Sequence, residues 1–300
     1  MSFTIATSIE DALAALAAGA RPVAGGSDLV VGARHGKAPL PDSIVAIDRL
    51  SELSTITLTD DGLRIGALAT HAAMMLDATI VASYSALADA SALVGSPATR
   101  NVGTLGGNVM NASPAMDTGA PLLVFGAMVE LRSTSGTRSV SLPDLWVGPG
   151  STSAAADELC IALVLAKRPA RSGSAYVRLE YRRAMEIAVV GAAASVTLND
   201  DGTAGHVAVA LTAVAPTIVA VGGLDAALIG RPVDEDTLAA IARAAAEQSA
   251  PISDLRASDS YRRHCVGVMA RRAVEAAGRR AGGEAIAIPV NRAYGIGASR

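Results

Sequence analysis

Ile9, Leu13 and Leu16 follow Ser8 at helical spacing, so the chain opens with a capped amphipathic helix that ends at Gly19. Pro22 to Ala24 and Ile44 to Ile47 are short apolar runs of strand type, and with that helix they make a small α+β unit over residues 1–55. Ile56-Thr57-Leu58 and Leu63-Arg64-Ile65 flank Asp60-Asp61-Gly62, a hairpin pattern that opens a second unit. Thr70 to Leu76, Ser85 to Val94 and Pro121 to Gly126 read as helices. Met128 to Arg132 and Arg138 to Ser141 read as a hairpin around Ser135-Gly136, and Leu159 to Leu165 as a strand. The polar, turn-rich run Arg168 to Ser174 is the best domain boundary. Beyond it, Ala175 to Arg178, Ala188 to Leu198 and His206 to Thr212 are strands, and two alanine-rich helices follow near 235–248 and 258–278. The economical architecture is α+β, with residues 173–300 as a sheet carrying helices on one face. Val207 to Gly223 is the most apolar run, but it is short for a membrane span and holds Thr212, Pro216 and Thr217, so a buried strand and loop are expected.

Two glycine-rich stretches interrupt this pattern. Arg21 to Leu29 places Gly25-Gly26 after a short strand and before a helix start capped by Ser27 or Asp28, which would aim unpaired amides at a diphosphate. Arg100 to Asp117 places Gly103, Gly106 and Gly107 among Asn101, Thr104, Asn108, Asn111 and Ser113, and Asp117 supplies a carboxylate able to accept from a ribityl or ribose hydroxyl. Glycine lets the main chain approach a ligand and adopt positive φ, so successive amides can converge on oxygen atoms. Arg100 to Asp117 alone is equally readable as a glycine-rich surface loop; the two stretches together suit a dinucleotide. Neither has the spacing of a P-loop or of a Rossmann turn.

Composition narrows the class. Hydrophobic residues make up 51% and charged residues 18% of 300, with aromatics at only 3%, so alanine, valine and leucine do most of the packing in two or three units. A net charge of −3 gives no reason to expect nucleic acid. Residues 251–300 carry nine arginines against four acids, net +5, which leaves −8 for residues 1–250. That basic segment is either a face for an acidic partner or the solvated side of a helix. Cys160 and Cys265 stand far apart, which excludes a zinc site or an iron-sulfur cluster built here and fits reduced, cytoplasmic thiols. The four histidines show no metal-ligand spacing and read as surface or satisfied structural residues. The amino terminus lacks a basic n-region, which argues against a signal peptide.

Ala24-Gly25-Gly26-Ser27-Asp28, followed by Arg100 to Asn108 and then Ala112-Ser113-Pro114-Ala115-Met116-Asp117, resembles the FAD-binding medium subunit of the molybdenum hydroxylases, the family of carbon monoxide dehydrogenase and xanthine dehydrogenase. The resemblance continues through Tyr181-Arg182-Arg183-Ala184-Met185-Glu186-Ile187-Ala188, Ser253 to Ser258 and Tyr261-Arg262-Arg263, and so covers nearly the whole chain. It implies a two-part FAD-binding domain of the PCMH/vanillyl-alcohol-oxidase type over 1–55 and 56–172, then a CO-dehydrogenase-flavoprotein-like domain over 173–300. The implied role is electron transfer through FAD to an external acceptor. The implied partners are a molybdopterin-containing large subunit and a [2Fe-2S] small subunit, in a dimer of heterotrimers, in the cytoplasm.

The resemblance also assigns residues. The diphosphate falls on the amides of Ala24, Gly25, Gly26 and Ser27, between Val23 and Asp28-Leu29. Thr104 and Asn108, on the turn made by Gly106 and Gly107, face the diphosphate or ribityl region, and Asn111, Ser113 and Asp117 the ribityl-to-adenosine part. For Ser113 and Asp117 a local turn bond is the competing reading. Cys160 stands where the family has a leucine packing on adenine, a place a small polarizable thiol can fill, or it is an ordinary core thiol. Arg178 matches a basic residue near the flavin that would favour its reduced anion, or makes a surface salt bridge. Tyr181 is the best candidate for stacking on the flavin, and Ile187 matches the segment over the isoalloxazine ring. The resemblance assigns no catalytic side chain and no metal ligand. Two other functions stay open: a self-sufficient flavin oxidoreductase like the enolpyruvyl-glucosamine reductases, whose Gly-Thr-x-Gly-Gly turn is similar to Gly103 to Gly107, and a non-catalytic nucleotide-binding assembly module.

Overall fold

The computed structural model describes residues 2–36, 39–182 and 184–296. The chain folds into two compact units, one of residues 1–73, 97–112 and 126–166, the other of residues 74–96, 113–125 and 167–300.

The first unit is built on two sheets. Ser2–Ile5, Ser43–Ala46 and Arg21–Val23 form a parallel sheet with Ser43–Ala46 in the middle. Ile9–Ala17 is the predicted first helix: Ser8 Oγ accepts from the Asp11 amide, and Leu13 and Leu16 turn inward. These side chains pack with Val45, Ile47, Leu50, Leu53, Leu159 and Ile161 into one core cluster. The second sheet is antiparallel and five-stranded, in the order Ile56–Leu58, Gly62–Gly66, Leu159–Ala166, Met128–Ser133, Gly136–Ser141. Both predicted hairpins are present, and the strand read at Leu159 to Leu165 joins them. Its register shifts between Cys160 and Ala162 against Met128–Ser133, a bulge in the middle of the sheet.

Two local expectations need correction here. Gly26 itself, at φ +66°, caps the helix Ser27–Arg34, and neither Ser27 nor Asp28 serves as the side-chain cap. The central glycine run is not an open loop: it contains the short helices Pro97–Val102 and Leu105–Met110, broken at Gly103-Thr104. Ser2–Ile5, a strand not foreseen although Phe3 and Ile5 alternate with polar residues, lies on a sheet edge with all four residues exposed.

In the second unit Ser172–Leu179, Val190–Leu198, Ala204–Thr212 and Val219–Ala220 form an antiparallel sheet. Val177, Ala192, Ala194, Val196, Val207 and Val209 pack on Val266, Met269, Ala270 and Val274 of the long helix Asp259–Ala281, with Leu238 and Ile241 of Glu235–Glu247 joining the same cluster. The helices of residues 173–300 therefore lie on one face, as the α+β reading expects. The other face is covered by segments from earlier in the chain. Ser85 Oγ, at the start of helix Ser85–Leu93, donates to the Ser174 carbonyl (2.7 Å), and Thr212 Oγ1 donates to the Met116 carbonyl (2.9 Å). Cover on both faces explains why Ser172–Leu179 and Val190–Leu198 are almost wholly buried, although the former is an edge strand.

The basic carboxyl-terminal segment is largely neutralised within the unit. Arg280 is buried against Asp89 (2.6 Å) and Arg262 against Asp254 (2.6 Å), while Arg271 pairs with Glu235 and Arg279 with Glu284. Burial raises the Asp254 carboxyl, but the Arg256 amide and the Arg262 guanidinium overcome it and hold the group at about 2. Among the described residues no helix is long and apolar enough to cross a membrane.

Candidate cofactor site

The two glycine turns meet. A Cβ built on Gly25 would stand 1.7 Å from the Val102 carbonyl oxygen and 3.3 Å from the Gly103 nitrogen, so only glycine permits this approach. The Ile47 amide donates to the Val23 carbonyl (2.9 Å), the last bond before the turn leaves the sheet. From there the amides of Ala24, Gly25, Gly26 and Ser27 have no hydrogen-bond acceptor among the described residues. They lie at the surface, at the start of a helix whose dipole adds positive potential. Buried main-chain donors are almost always paired, so a row of free donors at a half-exposed turn is a place for an anion. Asp28 is exposed beside them, and Val23 and Leu29 are half-buried.

The second turn works differently from the expectation. Its amides are already engaged: Gly103 donates to the Thr99 carbonyl, Leu105 to Ala69, Gly106 to Ala67, Gly107 to Thr104 Oγ1 and Asn108 to the Thr104 carbonyl. Gly106 is needed for packing, since a Cβ there would fall 2.6 Å from Ala67 Cβ and 2.8 Å from its carbonyl oxygen. The turn is pinned to residues 67–71, which continue the strand Gly62–Gly66, and what it can offer a ligand is side chains and surface. Thr104 is buried, Asn108 half-buried, and Gly107 and Asn111 exposed.

His71 overturns the reading of all four histidines as surface or satisfied. It is 2% exposed, and its Nδ1 has no partner among the described residues. Its amide donates to the Gly103 carbonyl (3.1 Å), and its Cδ2 lies 3.3 Å from where a Cβ of Gly103 would stand, with Ser27 Oγ 3.6 Å from the same point. Burial, aided by the Arg100 charge, pushes the imidazole from 6.5 down to about 4. The unfolded chain therefore binds more protons than the folded one between these values. Stability contributed by neutral His71 is complete above pH 6.5 and lost as pH falls through 4. Urea denaturation of His71→Leu should show a shallower pH dependence than wild type across that interval.

Cys160 is buried in the sheet of the first unit, and desolvation together with Glu130 pushes its thiol up to about 12, so it is a neutral, apolar side chain. The remaining assigned residues belong to the second unit. Ser113 Oγ accepts from the Ala115 amide (3.3 Å), the local turn bond weighed above. Asp117 does not make one: Tyr176 Oη donates to its Oδ1 (2.8 Å) and Arg178 Nη1 to its Oδ2 (2.7 Å). Arg178 is fully buried, which excludes a surface salt bridge, and its Nε also donates to Glu180 (2.8 Å) while Nη2 has no partner among the described residues. Burial opposes its charge, but Asp117, Tyr176 and Glu180 raise its pKa above the ordinary value. Tyr181 and Ile187 are exposed at the ends of a turn clamped by Arg182 and Glu186 (3.1 Å), with the Tyr181 hydroxyl donating to the Arg256 carbonyl. Arg183 of the same motif lies outside the described residues. His71 and Glu180 are the residues that sequence reasoning missed, while Tyr176, which the sequence offers beside Tyr181 as a stacking tyrosine, is buried and bonded to Asp117. His71 is made notable by the lack of a partner and Glu180 by its burial beside Arg178, which no local pattern signals.

The donor set fits a dinucleotide diphosphate, and comparison with known proteins agrees. The family described as FAD binding domain in molybdopterin dehydrogenase matches residues 1–165, and that described as CO dehydrogenase flavoprotein C-terminal domain matches residues 175–277. The chain is 32% identical over 287 residues to the xanthine dehydrogenase FAD-binding subunit of Escherichia coli O157:H7, covering 94% of this chain and 98% of that one. It is 32% identical to the carbon monoxide dehydrogenase medium chain of Afipia carboxidovorans, with 91% and 95% covered. It superposes on a solved carbon monoxide dehydrogenase from Hydrogenophaga pseudoflava with a TM-score of 0.88 at 28% identity, covering 93% of this chain and 98% of that one. The chain belongs to the FAD-binding medium subunits of the molybdenum hydroxylases, and FAD is its cofactor.

Proposed function

We propose that this chain carries electrons from iron-sulfur clusters on a [2Fe-2S] small subunit to an external acceptor, the substrate being oxidised at a molybdopterin site on a large subunit. The working assembly is a dimer of such heterotrimers in the cytoplasm. FAD, when bound, supplies the redox centre; this chain supplies its place. The observation that carries the reading is the contact of Gly25 with Val102 and Gly103, which leaves four amides, Ala24 to Ser27, free at a helix start. Those amides take the diphosphate. Thr104, Asn108 and Asn111 position the neighbouring sugar-phosphate atoms, and Cys160 offers an uncharged surface to the adenine. On the second unit Asp117 takes a hydroxyl hydrogen bond, assisted by Ser113. Arg178, buried and held by Asp117 and Glu180, places a cation near the flavin, and Tyr181 and Ile187 present exposed surface to the ring. Functionally, residues 1–55 and 56–172 act as the two parts of the FAD-binding domain, and 173–300 as the domain that completes it. Purified full-length chain mixed with FAD should give a bound-flavin spectrum and a melting temperature that rises with FAD concentration. Native mass spectrometry of the complex should find both partner subunits. A chain whose melting is indifferent to FAD would overturn the reading.

A further inference from the structure

We propose that His71 is a diphosphate-positioning residue, whose neutral imidazole donates from Nε2 to a diphosphate oxygen of the dinucleotide held by Ala24 to Ser27. The inference rests on the cofactor placement proposed above. Its own observations are geometric. His71 is 98% buried and no hydrogen bond reaches its ring from any described residue, which is rare for a buried polar side chain. The enclosed nitrogen is Nδ1. A neutral imidazole has a single proton, and the Nε2 tautomer leaves at Nδ1 only a lone pair rather than an N–H without an acceptor. Nε2 is bonded to Cδ2, and the Cδ2 edge faces Gly103 at the meeting point of the two turns, within reach of the place that Ser27 Oγ occupies. The main chain fixes the ring there, because the His71 amide donates to the Gly103 carbonyl and the bridge between Thr70 and Thr104 holds the two segments side by side. The ring edge that carries Nε2 thus lies at the junction of the two turns, beside Ser27, and a ligand oxygen would supply the acceptor that the protein does not.

A packing role and a positioning role predict different things for the empty protein. If the ring only fills space, replacing it destabilises the chain with or without ligand. If it is a donor kept for the ligand, His71→Leu removes an unpaired polar group, so the FAD-free chain melts no lower at pH 7.5 while affinity for FAD falls about tenfold to a hundredfold, the weight of one hydrogen bond to a charged group. His71→Gln, which can place an N–H near Nε2, should stay within about threefold of wild type, and His71→Asn, whose shorter amide mimics Nδ1, should not. ADP, which has the diphosphate and no flavin, should weaken in parallel with FAD. Affinities are read by titration of the full-length FAD-free chain. Wild type that binds neither ligand would sink the cofactor placement itself. Wild type that binds, with the Leu variant within about threefold of it, with Asn and Gln indistinguishable, or with ADP affinity unmoved while FAD affinity falls, would overturn the role of His71 alone.

Discussion

Gly25→Ala should be the most damaging single-methyl change for FAD binding, lowering affinity by about a hundredfold to ten-thousandfold. The added carbon has nowhere to go, because it would stand 1.7 Å from the Val102 carbonyl oxygen and 2.5 Å from its carbon, main-chain atoms that cannot rotate aside. One of the two turns must move, and the turn that moves is the exposed one, since Gly103 to Asn108 is tied to residues 67–71 by main-chain bonds. Displacing Ala24 to Ser27 removes two or more charge-assisted bonds to the diphosphate at about 1.5–3 kcal/mol each, which gives the stated range. The folded state loses less, about 1–3 kcal/mol for overpacking at a partly solvated site. Titration of FAD and urea denaturation of the FAD-free chain separate the two costs. Equal losses in both would mean that the turn is a packing device and not a cradle. Gly106→Ala is the contrasting variant: its Cβ would meet Ala67 inside the first unit, so its main effect should be on stability.

That contrast shows where the sequence is informative. Runs whose meaning is local were legible: the hairpin at Asp60-Asp61-Gly62, the Ser8 cap, the alanine-rich helix Asp259–Ala281 and the first glycine turn all follow from neighbours within a few positions. The second turn was legible as a motif and not as a mechanism. Whether its amides are free depends on Ala67 and Ala69, some three dozen positions earlier, and long-range pairing leaves no periodic trace. The basic tail misleads for the same reason: Arg280 looks solvated in sequence, yet Asp89 lies 191 positions away and buries it. His71 is silent because its distinguishing feature is an absent partner.

Arg178→Met should cost the FAD-free chain at least about 3–5 kcal/mol, the usual penalty for removing one member of a buried ion pair, and here one cation serves two carboxylates. Asp117 and Glu180 would be left inside the second unit facing each other's charge, with Tyr176 Oη still donating to Asp117. The loss should appear as a fall of about 6–20 °C in melting temperature, taking about 2–4 °C per kcal/mol for a body of this size. Arg178→Lys should recover only part of it, because an ammonium has no fork with which to hold two carboxylates at once. The decisive comparison is the triple variant Arg178→Met, Asp117→Leu, Glu180→Leu. If the single change is costly because it strands charges, removing all three ions should restore most of the lost stability, since a buried ion cluster gains little over apolar packing of the same volume. If the triple variant is instead as unstable as the single one, the guanidinium matters for the shape it fills. A triple variant that is stable yet no longer retains FAD would isolate the cluster's service to the cofactor from its service to the fold, because its remaining defect could not be charged to unfolding.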